Sequence, residues 1–397
     1  MTKMPAPNQW VYLDNNATTR PDERVIDAML PFYREGFANP SSFHALGAIA
    51  ADAVQVARKQ VAALIGADRD SEIIFTSGGS ESNNTAILSA LETQAGRNEI
   101  ITSTVEHPSV LALCAYLEKA GRARIHRIPV DNLGRLNLNA YCNALSKRTA
   151  LVSIQWANNE TGVVFPVEVL ASMAHETGAL FHSDAVQAAG RVAMNIEAAE
   201  IDLVSISAHK LHGPKGIGCL YARRGVRISP LIHGGRQERG RRAGTENTPA
   251  IVGFGAAAEI AEQLLPNDMP RITLLRDRLE REILRSVPQS ILIGDRHNRL
   301  PNTLNLAFSE IEADSILLML DRALIAASSG SACSTGSMEP SHVLRAMKVP
   351  FSHLRGSVRF SFSRNNIERD VDRLLEVLPR AITDMQVDSR PMEAAYD

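Results

Sequence analysis

Residues 202–216 read DLVSISAHKLHGPKG. A β-branched run of strand length stops at a lysine set between two histidines, and glycines and a proline follow at once. Glycine and proline punctuate regular structure, so Lys210 is expected at the carboxyl end of a strand, in a tight polar turn. A lysine so placed is suited to form a Schiff base with a carbonyl cofactor, because burial lowers its pKa and frees its lone pair. The plain alternative is a surface-loop lysine. A zinc site from His209 and His212 is a further reading, but no cysteine or carboxylate cluster completes it.

Working outward, short β-branched runs recur at 72–76, 99–104, 124–129, 150–155, 179–182 and 218–221, with helix-length amphipathic stretches between many of them. This alternation predicts an α/β fold whose large domain holds a mostly parallel, seven-stranded sheet covered by helices. After about residue 249 long helical patterns, at 250–265 and 268–287, and scattered strands predict a smaller α+β domain. The expected division is an N-terminal segment 1–14 packing with the small domain, a large domain 15–260, and a small domain 261–397. The 397 residues carry 42 Lys plus Arg against 44 Asp plus Glu, a net charge of −2. That balance offers no electrostatic footprint for nucleic acid or an anionic membrane. No apolar run reaches the 18 or so residues of a membrane span, and the first residues lack a secretory h-region. Cysteines at 114, 142, 219 and 333 make no disulfide framework. The expectation is a cytoplasmic protein in a reducing compartment.

In open sheets of this kind, ligands bind beyond the carboxyl ends of the strands. Four further segments follow strands directly. LFHSDAVQ (180–187) brings Asp184 and Gln187 to the same edge as Lys210. An acid there suits the ring nitrogen of a pyridoxal-type cofactor, which must stay protonated to accept electrons; alternatively it caps a helix. TSGGSESNN (76–84) joins a strand to a helix, and such a Gly/Ser turn at a helix N-terminus cradles phosphate. The GK[ST] ending of a nucleotide P-loop is missing. His107 in TVEHPSV could stack on a planar ring and move protons, or cap a helix. QWANNETG (155–162) adds Asn159.

Cys333 lies in AASSGSACSTGSM (326–338), among small polar residues, and is expected to be exposed and reactive. Cys114, Cys142 and Cys219 fall in regular elements and are expected to be buried and inert. The run HGGRQERGRRAGTENTP (233–249) is basic but lacks interleaved aromatics, so it is read as an ordered loop at a site or subunit interface rather than a nucleic-acid patch.

Together with YLDNNATT (12–19), NPSSFH (39–44), EPSHVLRAM (339–347) and VRFSFS (358–363), these segments resemble, in order and over nearly the whole chain, the cysteine desulfurases. These are pyridoxal-phosphate enzymes of the class V aminotransferase group, with the fold type I architecture. The resemblance is strongest to the nitrogen-fixation type. It implies that Lys210 is the Schiff-base lysine, that His107 stacks on the ring, that Asp184 holds the ring nitrogen, and that Gln187, with Asn159 beside it, contacts the phenolate oxygen. It implies phosphate contacts from Gly79, Ser80, Ser207 and His209. Thr245 would reach the phosphate of the other subunit of a homodimer. Arg359, helped by Asn16, would clamp the carboxylate of the substrate L-cysteine. Cys333 would receive the sulfur as a persulfide, releasing alanine, and pass it to an iron–sulfur scaffold or other acceptor protein; it is also the residue that would transiently ligate a cluster. No other metal site is expected. Ser80 stands where the family usually has threonine, and Ser-Thr-Gly follows the cysteine where Thr-Ser is commoner. Alternatives are a housekeeping desulfurase, or an aminotransferase or lyase without persulfide transfer, for which Cys333 would be unnecessary.

Overall fold

The computed structural model describes residues 9–329 and 340–388. After the short β1 (Val11–Tyr12), the strands of the larger sheet are β2 (Ile73–Thr76), β3 (Glu99–Ser103), β4 (Arg124–Ile128), β5 (Thr149–Ser153), β6 (Leu180–Asp184), β7 (Leu203–Ser207) and β8 (Gly218–Ala222). They lie in the order β2-β8-β7-β6-β5-β3-β4. β8 runs antiparallel to both neighbours, and the other pairs are parallel. All seven expected strands are present in this one sheet, each within two residues of its expected bounds.

β2, β3, β5, β7 and β8 are buried along their whole length, as a sheet covered on both faces requires. Alternate residues serve opposite faces. Ile74, Ile100, Leu151, Leu203 and Leu220 pack with Ile87 and Leu117, from the helices Gly79–Thr93 and Pro108–Lys119. Phe75, Ile101, Val152, Phe181 and Val204 pack with Val61 and Phe254, from the helices Ala45–Ile65 and Thr248–Ser286.

A second core surrounds a four-stranded antiparallel sheet. Its strands are β9 (Ser290–Leu292), β10 (Thr303–Phe308), β12 (Ser328–Ser329) and β13 (Ser357–Ser361), in the order β12-β13-β10-β9. Leu304, Leu306 and Phe360 pack there with Ile316 and Leu374 of the helices Ala313–Arg322 and Glu368–Asp388. The N-terminal segment joins this core. β1 pairs in parallel with β11 (Ile325–Ala326), Val11 and Leu13 are buried in the cluster, and Asp14 bridges Ser361.

Two expectations need correction. The helical patterns 250–265 and 268–287 are one helix, Thr248–Ser286, which contains Pro266 and Pro270. Both prolines are exposed, so the carbonyls they leave without an N–H partner face solvent and the helix continues. Cys142 is exposed rather than buried, because its seven-residue helix Leu138–Ala144 packs through Tyr141. Cys114 and Cys219 are buried as expected, and burial pushes the Cys114 thiol up to about 12. Cys333 lies outside the described residues.

Candidate active site

The carboxyl ends of β2, β3, β5, β6 and β7 meet at one edge of the larger sheet, and each supplies part of one cluster. β7 ends at Ser207, and a single 3-10 turn, Ala208–Lys210, delivers the lysine. Lys210 Nζ donates to the carbonyls of Asn16 (2.5 Å) and Ala17 (2.6 Å). The turn is fastened to the N-terminal segment: Thr19 N and Oγ1 donate to the His209 carbonyl, His209 Nδ1 pairs with Thr18 Oγ1, and His212 N donates to Thr19 Oγ1.

β6 ends at Asp184, which is buried. Its Oδ2 accepts from Asn83 Nδ2 (2.7 Å) and its Oδ1 from Val186 N (3.0 Å). Asn83 also donates to Ser109 Oγ, which pairs with His107 Nδ1 (2.8 Å). One chain of hydrogen bonds therefore links Asp184 to His107, the N-cap of the helix Pro108–Lys119. Burial is the largest influence on His107 and holds its pKa below the usual value, against the opposing pull of Asp184; Lys210 and His342 add to the lowering. These groups are near enough to sense one another's charge.

β2 leads into Ser77, Gly78 and Gly79 and the helix Gly79–Thr93, whose N-cap Gly78 brings no side chain to the first turn. The amides at such a helix start have no intrahelical acceptor. Two glycines make room for this turn. A Cβ on Gly79 would lie 2.7 Å from Val186 Cγ2, and one on Gly218 would lie 2.5 Å from the Ile206 carbonyl and 2.8 Å from Gly78 Cα. Ser207 is buried next to Gly78, and Ser80 is exposed on the first turn.

The second sheet contributes Arg359, on β13 and only 2% exposed. Its Nη1 donates to the Asn159 carbonyl (3.1 Å) and its Nη2 to Asp14 Oδ1 (2.8 Å). Asn16 stands between the sheets. Its Nδ2 donates to Asn159 O and Thr303 Oγ1, while its carbonyl accepts from Lys210 Nζ and Gln187 Nε2. The structure thus places two hydrogen-bonded groups at this edge, Asp184 with His107, and Lys210 with His209, Gln187, Asn159, Asn16 and Arg359; His107 senses the charges of both Asp184 and Lys210, and Gly79, Ser80 and Ser207 lie around Gly78. Thr245 stands apart from them, exposed near the end of the basic loop. That loop is ordered by ion pairs: Glu238 grips Arg58 through both oxygens (2.7 Å each), and Arg242 meets Glu81 (2.9 Å).

Sequence reasoning passed over several participants. Arg191 is buried and donates to Gln187, to the Asn15 carbonyl and to the Lys210 carbonyl. Burial pulls its pKa down to about 9. Its only signal was a charged residue closing the apolar run AVQAAGR. Glu106, adjacent to His107, is fully buried and accepts from Ser103 Oγ and Gln155 N; burial pushes it up to about 8.

Three histidines give the fold an acid-sensitive side. His182 lies between Ser153 Oγ and Ser205 Oγ at 2.9 Å each, and His209 and His212 lie in the lysine turn. Burial holds all three down to about 4, against an ordinary value of 6.5. At these three sites the folded state binds fewer protons than the unfolded chain, so their contribution to stability is full above about pH 6.5, is lost as pH falls, and levels off below about pH 4. The buried carboxyls Glu106 and Glu160, raised to about 8 and about 7, act in the opposite direction over the same window. Thermal melts between pH 7 and 4 should show His182→Asn losing less Tm, or gaining more, than wild type across that window, because the variant lacks one of the acid-sensitive sites. An identical pH dependence of Tm in the two proteins would contradict the buried neutral state of His182.

The family profile of Aminotransferase class-V matches residues 11–374. A cysteine desulfurase of Gluconacetobacter diazotrophicus is 61% identical over 376 residues, covering 95% of this chain and 94% of that protein. The cysteine desulfurase NifS of Azotobacter vinelandii is 52% identical over 376 residues, covering 95% and 93%. A solved NifS-like protein superposes with a TM-score of 0.89 at 38% identity, covering 94% of this chain and all of that one.

Proposed function

Since the chain belongs to the class-V aminotransferase family and works as a cysteine desulfurase, we propose that the cluster around Lys210 binds pyridoxal 5'-phosphate and takes sulfur from L-cysteine. The observation that carries this reading is the convergence of a lysine amine, a buried carboxylate and an uncapped helix start at the carboxyl ends of parallel strands. These groups fit the cofactor's aldehyde, ring nitrogen and phosphate in turn. Gly79, Ser80, Ser207 and His209 would hold the phosphate, His107 would stack on the ring, and Gln187 and Asn159 would meet its oxygen edge. Bound there, the cofactor supplies an electron-poor ring that makes the substrate's Cα proton acidic.

The chain's own residues do the rest. Arg359 and Asn16 hold the substrate carboxylate, Lys210 takes the Cα proton, and Asp184 fixes the charge on the ring nitrogen. The Cys333 thiolate then attacks the substrate sulfur; a sulfur–sulfur bond forms, the Cβ–S bond breaks, and alanine leaves. The persulfide passes to an iron–sulfur scaffold or other acceptor, and the likeness to NifS favours nitrogenase maturation as its use.

Two domains would divide the work, residues 15–260 carrying the cofactor and 261–397 the cysteine, with 1–14 packed on the latter. A homodimer, with Thr245 reaching the neighbouring phosphate, is supported by the exposed apolar side chains Phe37, Phe43, Leu46 and Ile49 on or next to the helix Ala45–Ile65. Among the described residues no helix is long and apolar enough to cross a membrane.

The test is Arg359→Ala. A guanidinium–carboxylate pair supplies both energy and orientation. Its loss should lower kcat/KM for L-cysteine roughly 30- to 1,000-fold, equal to about 2–4 kcal/mol, and should leave the visible spectrum of the bound cofactor unchanged. An unaltered kcat/KM would remove Arg359 from the substrate site.

A further inference from the structure

We infer that Asp14 is the residue that orients Arg359 for the substrate's carboxylate, a positioning role that rests on the clamp reading of Arg359 just proposed. A guanidinium that is 2% exposed must find partners within the protein. Two of its three nitrogens do: Nη2 donates to Asp14 Oδ1 (2.8 Å) and Nη1 to the Asn159 carbonyl (3.1 Å). The third, Nε, is buried and has no hydrogen-bond partner among the described residues. A buried donor left unpaired is costly, so the arrangement is complete only when an acceptor arrives, and a planar carboxylate matches a guanidinium edge.

Asp14 is itself held in place by the backbone. It bridges Ser361, two positions beyond Arg359 on the chain, while Leu13 N donates to the Ala326 carbonyl (2.8 Å) and Asn15 N to the Ser361 carbonyl (3.2 Å). The anchor for Arg359 is therefore a ladder position rather than a loose side chain. Two opposing effects follow from its carboxylate. It partly neutralises Arg359, which weakens the pull on an incoming anion, and it fixes the plane of a long flexible side chain, which spares the substrate that ordering cost. Glu160 decides between them. This carboxyl is buried and accepts from Ser341 Oγ (2.6 Å); burial pushes it up to about 7, and Ser341 and the charge of Arg359 pull the other way, so it is an anion above that pH. Without Asp14, above about pH 7, Arg359 would have Glu160 as its alternative counter-ion and would turn away from the open position. Orientation outweighs the gain in charge, so removing Asp14 weakens substrate binding.

Steady-state kinetics of the holoenzyme with L-cysteine test this in a double-mutant cycle. Asp14→Ala should raise KM about tenfold with kcat within about threefold of wild type. Asp14→Asn, whose Oδ1 still accepts, should recover at least about half of that loss on a logarithmic scale, and Asp14→Ala should add less than about twofold on an Arg359→Ala background. Should Asp14→Ala fail to fold, Asp14→Ser takes its place in the same cycle. A KM at or below wild type in the alanine or serine variant, or effects that multiply fully in the double variant, would overturn the inference; so would a lower Tm with KM unmoved, the mark of a purely structural role. If Arg359→Ala leaves KM untouched, the clamp reading falls and takes this inference with it. If Arg359→Ala raises KM and Asp14→Ala does not, only the inference falls.

Discussion

Lys210→Ala is expected to stop turnover, lowering kcat at least about 1,000-fold, because the variant loses the group proposed both to anchor the cofactor covalently and to take the Cα proton. The protein should still fold. The lysine sits on a half-exposed 3-10 turn, and that turn is independently pinned through Thr19, His209 and His212. Removing Nζ leaves the Asn16 and Ala17 carbonyls without this donor, a cost of about 1–3 kcal/mol. Borohydride reduction followed by peptide mass analysis is the direct check. Wild type should carry a pyridoxyl group on Lys210, and the variant should carry none. A reduced adduct elsewhere in the variant, with activity retained, would reassign the lysine.

Cys333→Ala should separate substrate binding from sulfur transfer. The groups proposed to hold the cofactor all lie before residue 249, so the variant should stay yellow and still change its spectrum on adding L-cysteine. Alanine and sulfide formation should fall at least about 100-fold, since no other thiol can take over. Cys114 and Cys219 are buried, and burial raises both thiols well above the pH at which a thiolate forms. Cys142 is exposed, but its helix feeds the amino end of β5, the sheet edge opposite Lys210. Alanine variants of these three should therefore keep activity. Wild-type turnover by Cys333→Ala would replace persulfide chemistry with a lyase reaction.

Much of the larger sheet was legible because its strands are short apolar runs closed by glycine, proline and asparagine, and because chemistry collects where such runs end. That logic places Lys210, Asp184, His107 and the Gly79 turn at one sheet edge, where the structure has them. It could not see partners brought together from distant segments. Asn83 looked like one residue of a polar helix start, yet it carries the bond to Asp184. Asp14 and Arg359 stand 345 positions apart, and no local pattern marks them as a pair. Glu238 and Arg239 adopt left-handed backbone angles (φ 46° and 60°) within a run that reads only as basic, because the buried Arg58–Glu238 pair holds the loop. The sequence divides the helix Thr248–Ser286 in two around Pro266, since it does not show that this residue faces solvent.

The segment 11–16 leaves the ribosome more than 300 residues ahead of its partners Ile325, Ala326 and Ser361. During synthesis the larger sheet can form, and Lys210 can emerge, well before Asn16 and Arg359 are locked in place. A nascent chain could then capture the aldehyde cofactor while it has no carboxylate clamp to seat an amino acid. Chemistry would begin only after residues 325–361 have emerged and paired with 11–16, so a reactive half-built enzyme need never be exposed to cellular cysteine.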